Sequence, residues 1–214
     1  MMGRLLYCLN MKTNNLKILS NKREIILGSG SSRRVSLLTE IGIKFSQIIP
    51  EVEEYEIQNE QPYQYALDLA ELKGHWVVQR IKQDQIAICC DTIVVLGYNV
   101  LGKPKNKDEA YKILSLLSGQ NHVVCTAVAF ADSNGILTSS YETTNVFFNH
   151  VSPNQINNYI DSGEPMDKAG AYGIQGMGAF LVDRIEGNLD NVIGLPTQLL
   201  EELAKKVNRM LELT

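Results

Sequence analysis

Long apolar runs are missing from this sequence. No stretch approaches the roughly 20 apolar residues that cross a bilayer, so no membrane partner is expected. Positive charge is not in excess: 20 Lys and Arg stand against 24 Asp and Glu, a net charge of −4. A protein that coats nucleic acid would be basic; nucleic acid is therefore not an expected partner, and any phosphate site must be a local cluster of cations. Cysteine is scarce. The four present, Cys8, Cys89, Cys90 and Cys125, form neither a CxxC pair nor a Cys/His spacing suited to zinc. They read as buried, reduced thiols in a cytoplasmic protein. Repeats, low-complexity tracts and long linkers are lacking too. The apolar part of residues 1–10 is about five residues, too short for a signal peptide, and residues 1–22 read as a loose extension.

What is present suits one enzyme-sized α/β domain over residues 23–214. Apolar residues make up 44% of the chain and charged residues 21%, enough for a real core. Residues 24–27 form a short buried strand. A helix follows, with Val35, Leu37, Leu38 and Ile41 inward and Gly42 closing it. A strand over 45–49 leads into an acidic loop with Glu51, Glu53, Glu54 and Glu56. Residues 63–82 carry Ala66, Leu69, Ala70, Trp76 and Val77 at helical spacing. Residues 85–96 read as a strand buried on both faces, and a turn at Gly97-Tyr98-Asn99 follows. A helix over 107–117 precedes two long strands, 122–131 and 137–150, joined at Asp132-Ser133-Asn134-Gly135. Ser152-Pro153-Asn154-Gln155 spells a capping box with Pro at the first helical position. After a glycine-rich stretch come a strand over 179–185 and a final helix from Pro196. Helices alternate with strands early and a long hairpin sits in the middle. This order predicts a curved mixed sheet flanked by helices, with two lobes and a central cleft.

Three segments carry chemistry. Gly28-Ser29-Gly30-Ser31-Ser32-Arg33-Arg34 sits between a strand and a helix. Backbone N–H groups at a helix start attract anions, small residues admit a phosphate, and arginines add charge and fork-shaped donors. It is neither a Walker A loop nor a dinucleotide fingerprint; the alternative is a plain strand–helix turn with solvated arginines. Cys90-Asp91-Thr92 places an acid inside an apolar strand. A carboxylate there is costly without a purpose or a partner, and Asp91 reads as a metal ligand, a general base or a structural acid. Lys73, Lys103 and Lys168 are further cations. Residues 167–178 hold glycines at 170, 173, 176 and 178, which allow close backbone approach to a ligand; among them the uncharged Gln175 suits hydrogen bonding to a base edge.

These segments together resemble the Maf family of nucleotide pyrophosphatases, itself similar in fold to inosine triphosphatase. The likeness spans roughly residues 24–205. It rests on Ser29–Arg34, on Cys90-Asp91-Thr92 through Lys103-Pro104, on 117–126, on the unbroken run Asp167 to Gly176, and on Asn191 to Pro196. Ser32 replaces the family's usual loop proline, Gly28 a usual alanine, and Cys90 stands where Ala or Ser is common. The resemblance implies hydrolysis of a nucleoside triphosphate at the α–β anhydride. Asp91 would be the catalytic base. Arg33, Arg34, Lys73, Lys103 and Lys168, with Ser29 and Ser31, would hold the phosphates. A divalent cation, Mg²⁺ or Mn²⁺, would be shared with Asp91 and Glu54. Thr92 and Gln175 match the branch acting on dTTP and UTP, whereas Gln and Glu there mark the branch acting on 7-methyl-GTP. A homodimer is compatible with this reading, and a nucleotide-binding regulator of septation that does not hydrolyse is its rival.

Overall fold

The computed structural model describes residues 14–53 and 61–213. A seven-stranded mixed sheet runs in the order β2 (Phe45–Ile48), β1 (Glu24–Gly28), β3 (Gln85–Leu96), β5 (Asn121–Asp132), β6 (Gly135–Phe148), β7 (Val182–Glu186), with β4 (Asn99–Leu101) paired to β3. β1 is parallel to both its neighbours, and every other pairing is antiparallel. The chain leaves β1 through α2 (Ser32–Glu40) to reach β2 on one side, then crosses by α3 (Pro62–Val78) to β3 on the other. Such a divergence opens a crevice at the carboxyl ends of parallel strands.

The two faces of the sheet are sorted by the period of two along each strand. Ile25 and Leu27 of β1, with Ile86, Ile88 and Cys90 of β3, pack under α2 and α7 (Thr197–Leu211). Ile26, Ala87 and Cys89 face the other way, onto Val77 of α3. The α3 side is lined by small residues: Ala127, Ala129 and Cys125 of β5 meet Ala66 and Ala70. Small residues let the helix lie close to the sheet, so α3 tolerates Gly74 where a β-carbon would crowd Ile136. A separate core forms where α4 (Lys107–Leu117) and α5 (Pro153–Asp161) close on Val94, Val146, Phe148 and Tyr172. The expected capping box is formed, with Ser152 and Gln155 each accepting from the other's backbone.

Two stretches differ from the sequence reading. Residues 14–22, read as part of a loose extension, form α1 (Asn14–Lys22), with Leu16 and Leu19 fully buried against α7. A nine-residue helix is marginal alone; here Glu201 of α7 accepts from the backbone of Asn15 at 2.8 Å and Leu16 at 3.1 Å, capping it from across the fold. Residues 176–181 are turns of 3-10 helix rather than the start of a strand, and β7 begins only at Val182. Glycines at 176 and 178 give little reason to extend.

Candidate active site

A cleft of about 680 Å³ opens at the carboxyl end of β1. Its walls bring together Ser29, Ser31, Arg33, Arg34, Lys73, Asp91, Thr92, Lys103, Lys168 and Gln175. Glu54, the second metal ligand expected from sequence, lies outside the described residues.

Strand alternation places the central acid. Asp91 follows Ala87 and Cys89 on the α3 face of β3, while Thr92 follows Cys90 on the α2 face. On α3, Lys73 falls one turn beyond Leu69 and Ala70, within the stripe that faces the sheet. Lys73 Nζ therefore meets Asp91 Oδ1 in an ion pair. Asp91 is 7% exposed, and its Oδ2 makes no hydrogen bond to any described residue. One oxygen is held by a cation while the other faces the cleft.

On the opposite face the adjacent Thr92 meets Arg34. The Arg34 guanidinium donates to Gly194 O at 2.8 Å, Ser29 Oγ at 2.9 Å and Thr92 Oγ1 at 3.0 Å. Three of its five N–H groups are thus committed to the protein, and the residue is 9% exposed. The direction of the next bonds follows from counting protons. Thr126 Oγ1 must give its single hydrogen to Asn191 O, 2.8 Å away. Thr92 must then be the donor in the 3.0 Å contact between the two threonines. The Thr92 hydroxyl consequently has no hydrogen left for a ligand. Ser29 Oγ accepts also from Ser31 N at 3.2 Å, and its own hydrogen remains to be donated. Ser29, Arg34 and Thr92, expected to bind substrate, line the cleft and are at the same time joined in a strut that links the loop after β1 to β3 and to α6 (Leu189–Ile193). Sequence reasoning did not assign Thr126, Asn191 or Gly194 to this strut. Polar residues set in apolar strands and turns were the available signal.

The remaining polar side chains of the cleft differ in how firmly they are held, Lys168 being mostly buried and Lys103 and Gln175 exposed. Arg33 keeps about a third of its side chain exposed and lies 3.6 Å from Asp167 Oδ2. Lys168 Nζ reaches Asp167 Oδ1 and Glu164 O, both at 2.6 Å. Asp167 thereby links the loop that follows β1 to the glycine-rich wall. Lys103 is exposed beside Gly102. Gln175 is exposed between two turns of 3-10 helix, and its amide bonds to no described residue. The loop's first glycine is required by packing: a β-carbon at Gly28 would overlap Cys89 Sγ. The three described cysteines are buried and free. Burial pushes the thiols of Cys89 and Cys125 up to about 12 and that of Cys90 up to about 11, so none offers a thiolate near neutrality.

The described residues contain no group of three or more His, Cys, Asp and Glu able to hold a metal. What they do offer fits a different mode. Mg²⁺ is commonly held by one or two carboxylates together with substrate phosphates, and Asp91 presents one oxygen to a cleft lined by cations.

Comparison with known proteins agrees with this geometry. The model of the family described as Maf-like protein matches residues 24–207. A dTTP/UTP pyrophosphatase of a Thermoanaerobacter species is 41% identical over 184 residues, covering 86% of this chain and 96% of that protein. A dTTP/UTP pyrophosphatase of Salmonella typhimurium is 43% identical over 186 residues, covering 87% and 94%. Among solved structures, a HAM1 protein from Coxiella burnetii shares the fold with a TM-score of 0.50 at 18% identity, over 87% of this chain and 99% of that one. No described helix is long and apolar enough to cross a membrane.

Proposed function

Because the chain belongs to the Maf-like family, we propose that it hydrolyses nucleoside triphosphates to the monophosphate and pyrophosphate, with dTTP and UTP preferred. The observation that carries this reading is the placement of Asp91. It is a mostly buried carboxylate with one oxygen on Lys73 and the other facing a cleft that also holds Arg33, Lys103 and Lys168. In this reading Asp91 Oδ2 takes the proton of the attacking water, a role that contributes roughly 10²–10⁴ in rate when the base is positioned. Lys73 fixes the carboxylate's orientation. Arg33, Lys103 and Lys168 bind the phosphates and face the charge that develops on them. Asp91 would also share a Mg²⁺ or Mn²⁺ ion carried in by the triphosphate, through the ion's own water rather than through the oxygen that takes the proton. Such an ion supplies Lewis-acid polarisation of the phosphoryl oxygens. Three buried free thiols fit work in the cytoplasm.

Base choice rests on Gln175. Its amide offers an acceptor beside a donor, matching the N3–H and O4 of thymine and uracil. Guanine's adjacent donors leave the Gln175 donor unpaired, at a cost of roughly 1–3 kcal/mol. Thr92 acts at one remove, through the strut, because its hydrogen is taken. Competition among dTTP, UTP, CTP, GTP and 7-methyl-GTP, read as kcat/KM, tests the proposal. dTTP and UTP should lead by about tenfold or more; 7-methyl-GTP as the best substrate would overturn it.

A further inference from the structure

The wall that carries Gln175 is wrapped around a single carboxylate. Glu164 Oε2 accepts from Met177 N at 2.9 Å, and Oε1 accepts from Gly178 N at 3.1 Å. The same Oε1 accepts from the Tyr159 hydroxyl at 2.9 Å, and that hydroxyl accepts in turn from Gly173 N at 3.0 Å. Backbone on both sides of Gln175 is therefore tied to one two-residue unit, while the Gln175 side chain bonds to no described residue. The glycines make the wrapping possible. A β-carbon at Gly176, whose φ is +76°, would lie 2.9 Å from Glu164 Oε2, and one at Gly178 would lie 2.6 Å from the Tyr159 oxygen. Tyr159 is 2% exposed on α5 and packs edge-on to Phe180, so the unit is anchored in the core. Glu164 also reaches the phosphate side of the cleft, since its carbonyl accepts from Lys168 Nζ at 2.6 Å.

We propose that Tyr159 and Glu164 are positioning residues for base selection: they hold residues 173–178 in the one shape that aims the Gln175 amide at the nucleobase. The inference rests on the reading that Gln175 faces the base. A free amide between glycines has many conformations, and discrimination by paired hydrogen bonds requires its donor and acceptor to arrive in register. Burial pushes the Tyr159 phenol well above its usual range. The hydroxyl therefore remains a donor to Glu164 throughout the working pH range.

The test is kcat/KM of the full-length protein for dTTP and for GTP, with Mg²⁺, in Gln175→Ala, Tyr159→Phe, Glu164→Gln and the double variant Tyr159→Phe/Gln175→Ala. Gln175→Ala should lower the dTTP-to-GTP ratio by about tenfold, the effect of a lost specific hydrogen bond. Tyr159→Phe and Glu164→Gln should lower the same ratio by roughly three- to tenfold, by loss on dTTP alone. The double variant should be no worse than Gln175→Ala, because the brace acts through that side chain. If Gln175→Ala shifts the ratio while both brace variants depress dTTP and GTP equally, the brace merely supports the fold and the inference is wrong. If Gln175→Ala leaves the ratio unchanged, the base-reading role itself fails and the inference with it. Should Tyr159→Phe not fold, Glu164→Gln keeps the shape and one acceptor oxygen and carries the same comparison.

Discussion

The two walls of the cleft are held in place by opposite means. The wall after β1 is fixed by side chains. Arg34 joins Ser29, Thr92 and Gly194, and Thr92 passes the chain on through Thr126 to Asn191. The glycine-rich wall is fixed through its backbone, whose N–H groups converge on Tyr159 and Glu164. The difference assigns different work to neighbouring residues. Arg33 and Arg34 are adjacent and both line the cleft, yet Arg34 is mostly buried and gives three of its N–H groups to the protein. A motif rich in cations is thus not a list of ligand contacts. Part of its charge is used to build the loop that presents the rest.

Substitutions can break this contrast. Asp91 lies between the walls and should give the largest effect: Asp91→Asn keeps the shape but cannot take a proton, and kcat should fall by roughly 10²–10⁴ with little change in Tm. Steady-state assay beside thermal denaturation checks both halves. Arg34→Ala comes next, because it removes the donor to Gly194 O and Thr92 Oγ1 and one of the two donors to Ser29 Oγ. A loss of about 2–4 kcal/mol is expected, a drop in Tm of roughly 5–15 °C for a chain of this size, and activity should fall with it. Normal Tm in Arg34→Ala would show that the strut is not structural.

Acid probes the packing behind the glycine-rich wall, where His122 meets Tyr172. His122 is 2% exposed, its Nε2 lies 2.7 Å from the Tyr172 hydroxyl, and its Nδ1 has no partner. Burial pushes its pKa down from 6.5 to about 4. Between those values the unfolded chain binds the proton and the folded chain does not, so stability falls as pH drops from 6.5 towards 4. The loss is about 3 kcal/mol in all. Urea denaturation of the native chain and of His122→Phe across that range should show a shallower slope for the variant; equal slopes would contradict the assignment. Arg33→Ala should have the smallest effect. It removes one charge-assisted contact of roughly 1.5–3 kcal/mol from kcat/KM, and Tm should hardly move, because an arginine left about a third exposed in a loose ion pair adds little stability.

Much of this arrangement was legible in the chain. The strand–loop–helix at 24–40, the helix of α3, the long hairpin and the capped α5 all carry local periodicity or turn chemistry, and they appear where those rules put them. The cleft gathers the cations, Asp91, Thr92 and Gln175. What escaped was decided by partners distant in sequence. α1 depends on Glu201, some 185 residues away. The commitment of Arg34 depends on Gly194, 160 residues on. The brace on the glycine wall joins Tyr159 and Glu164 to backbone N–H groups, which have no sequence pattern at all. Lys73 was the intermediate case: a cation within an apolar helical stripe could have been assigned to the buried face before Asp91 was placed opposite it.

The identity of the bond broken between those walls decides the reaction. Phosphorus-31 NMR of dTTP incubated with the protein and Mg²⁺ should show dTMP and pyrophosphate appearing together in equal amounts, both slowed by about a hundredfold or more in Asp91→Asn. Formation of dTDP with inorganic phosphate, or unchanged product formation in Asp91→Asn, would contradict this reading.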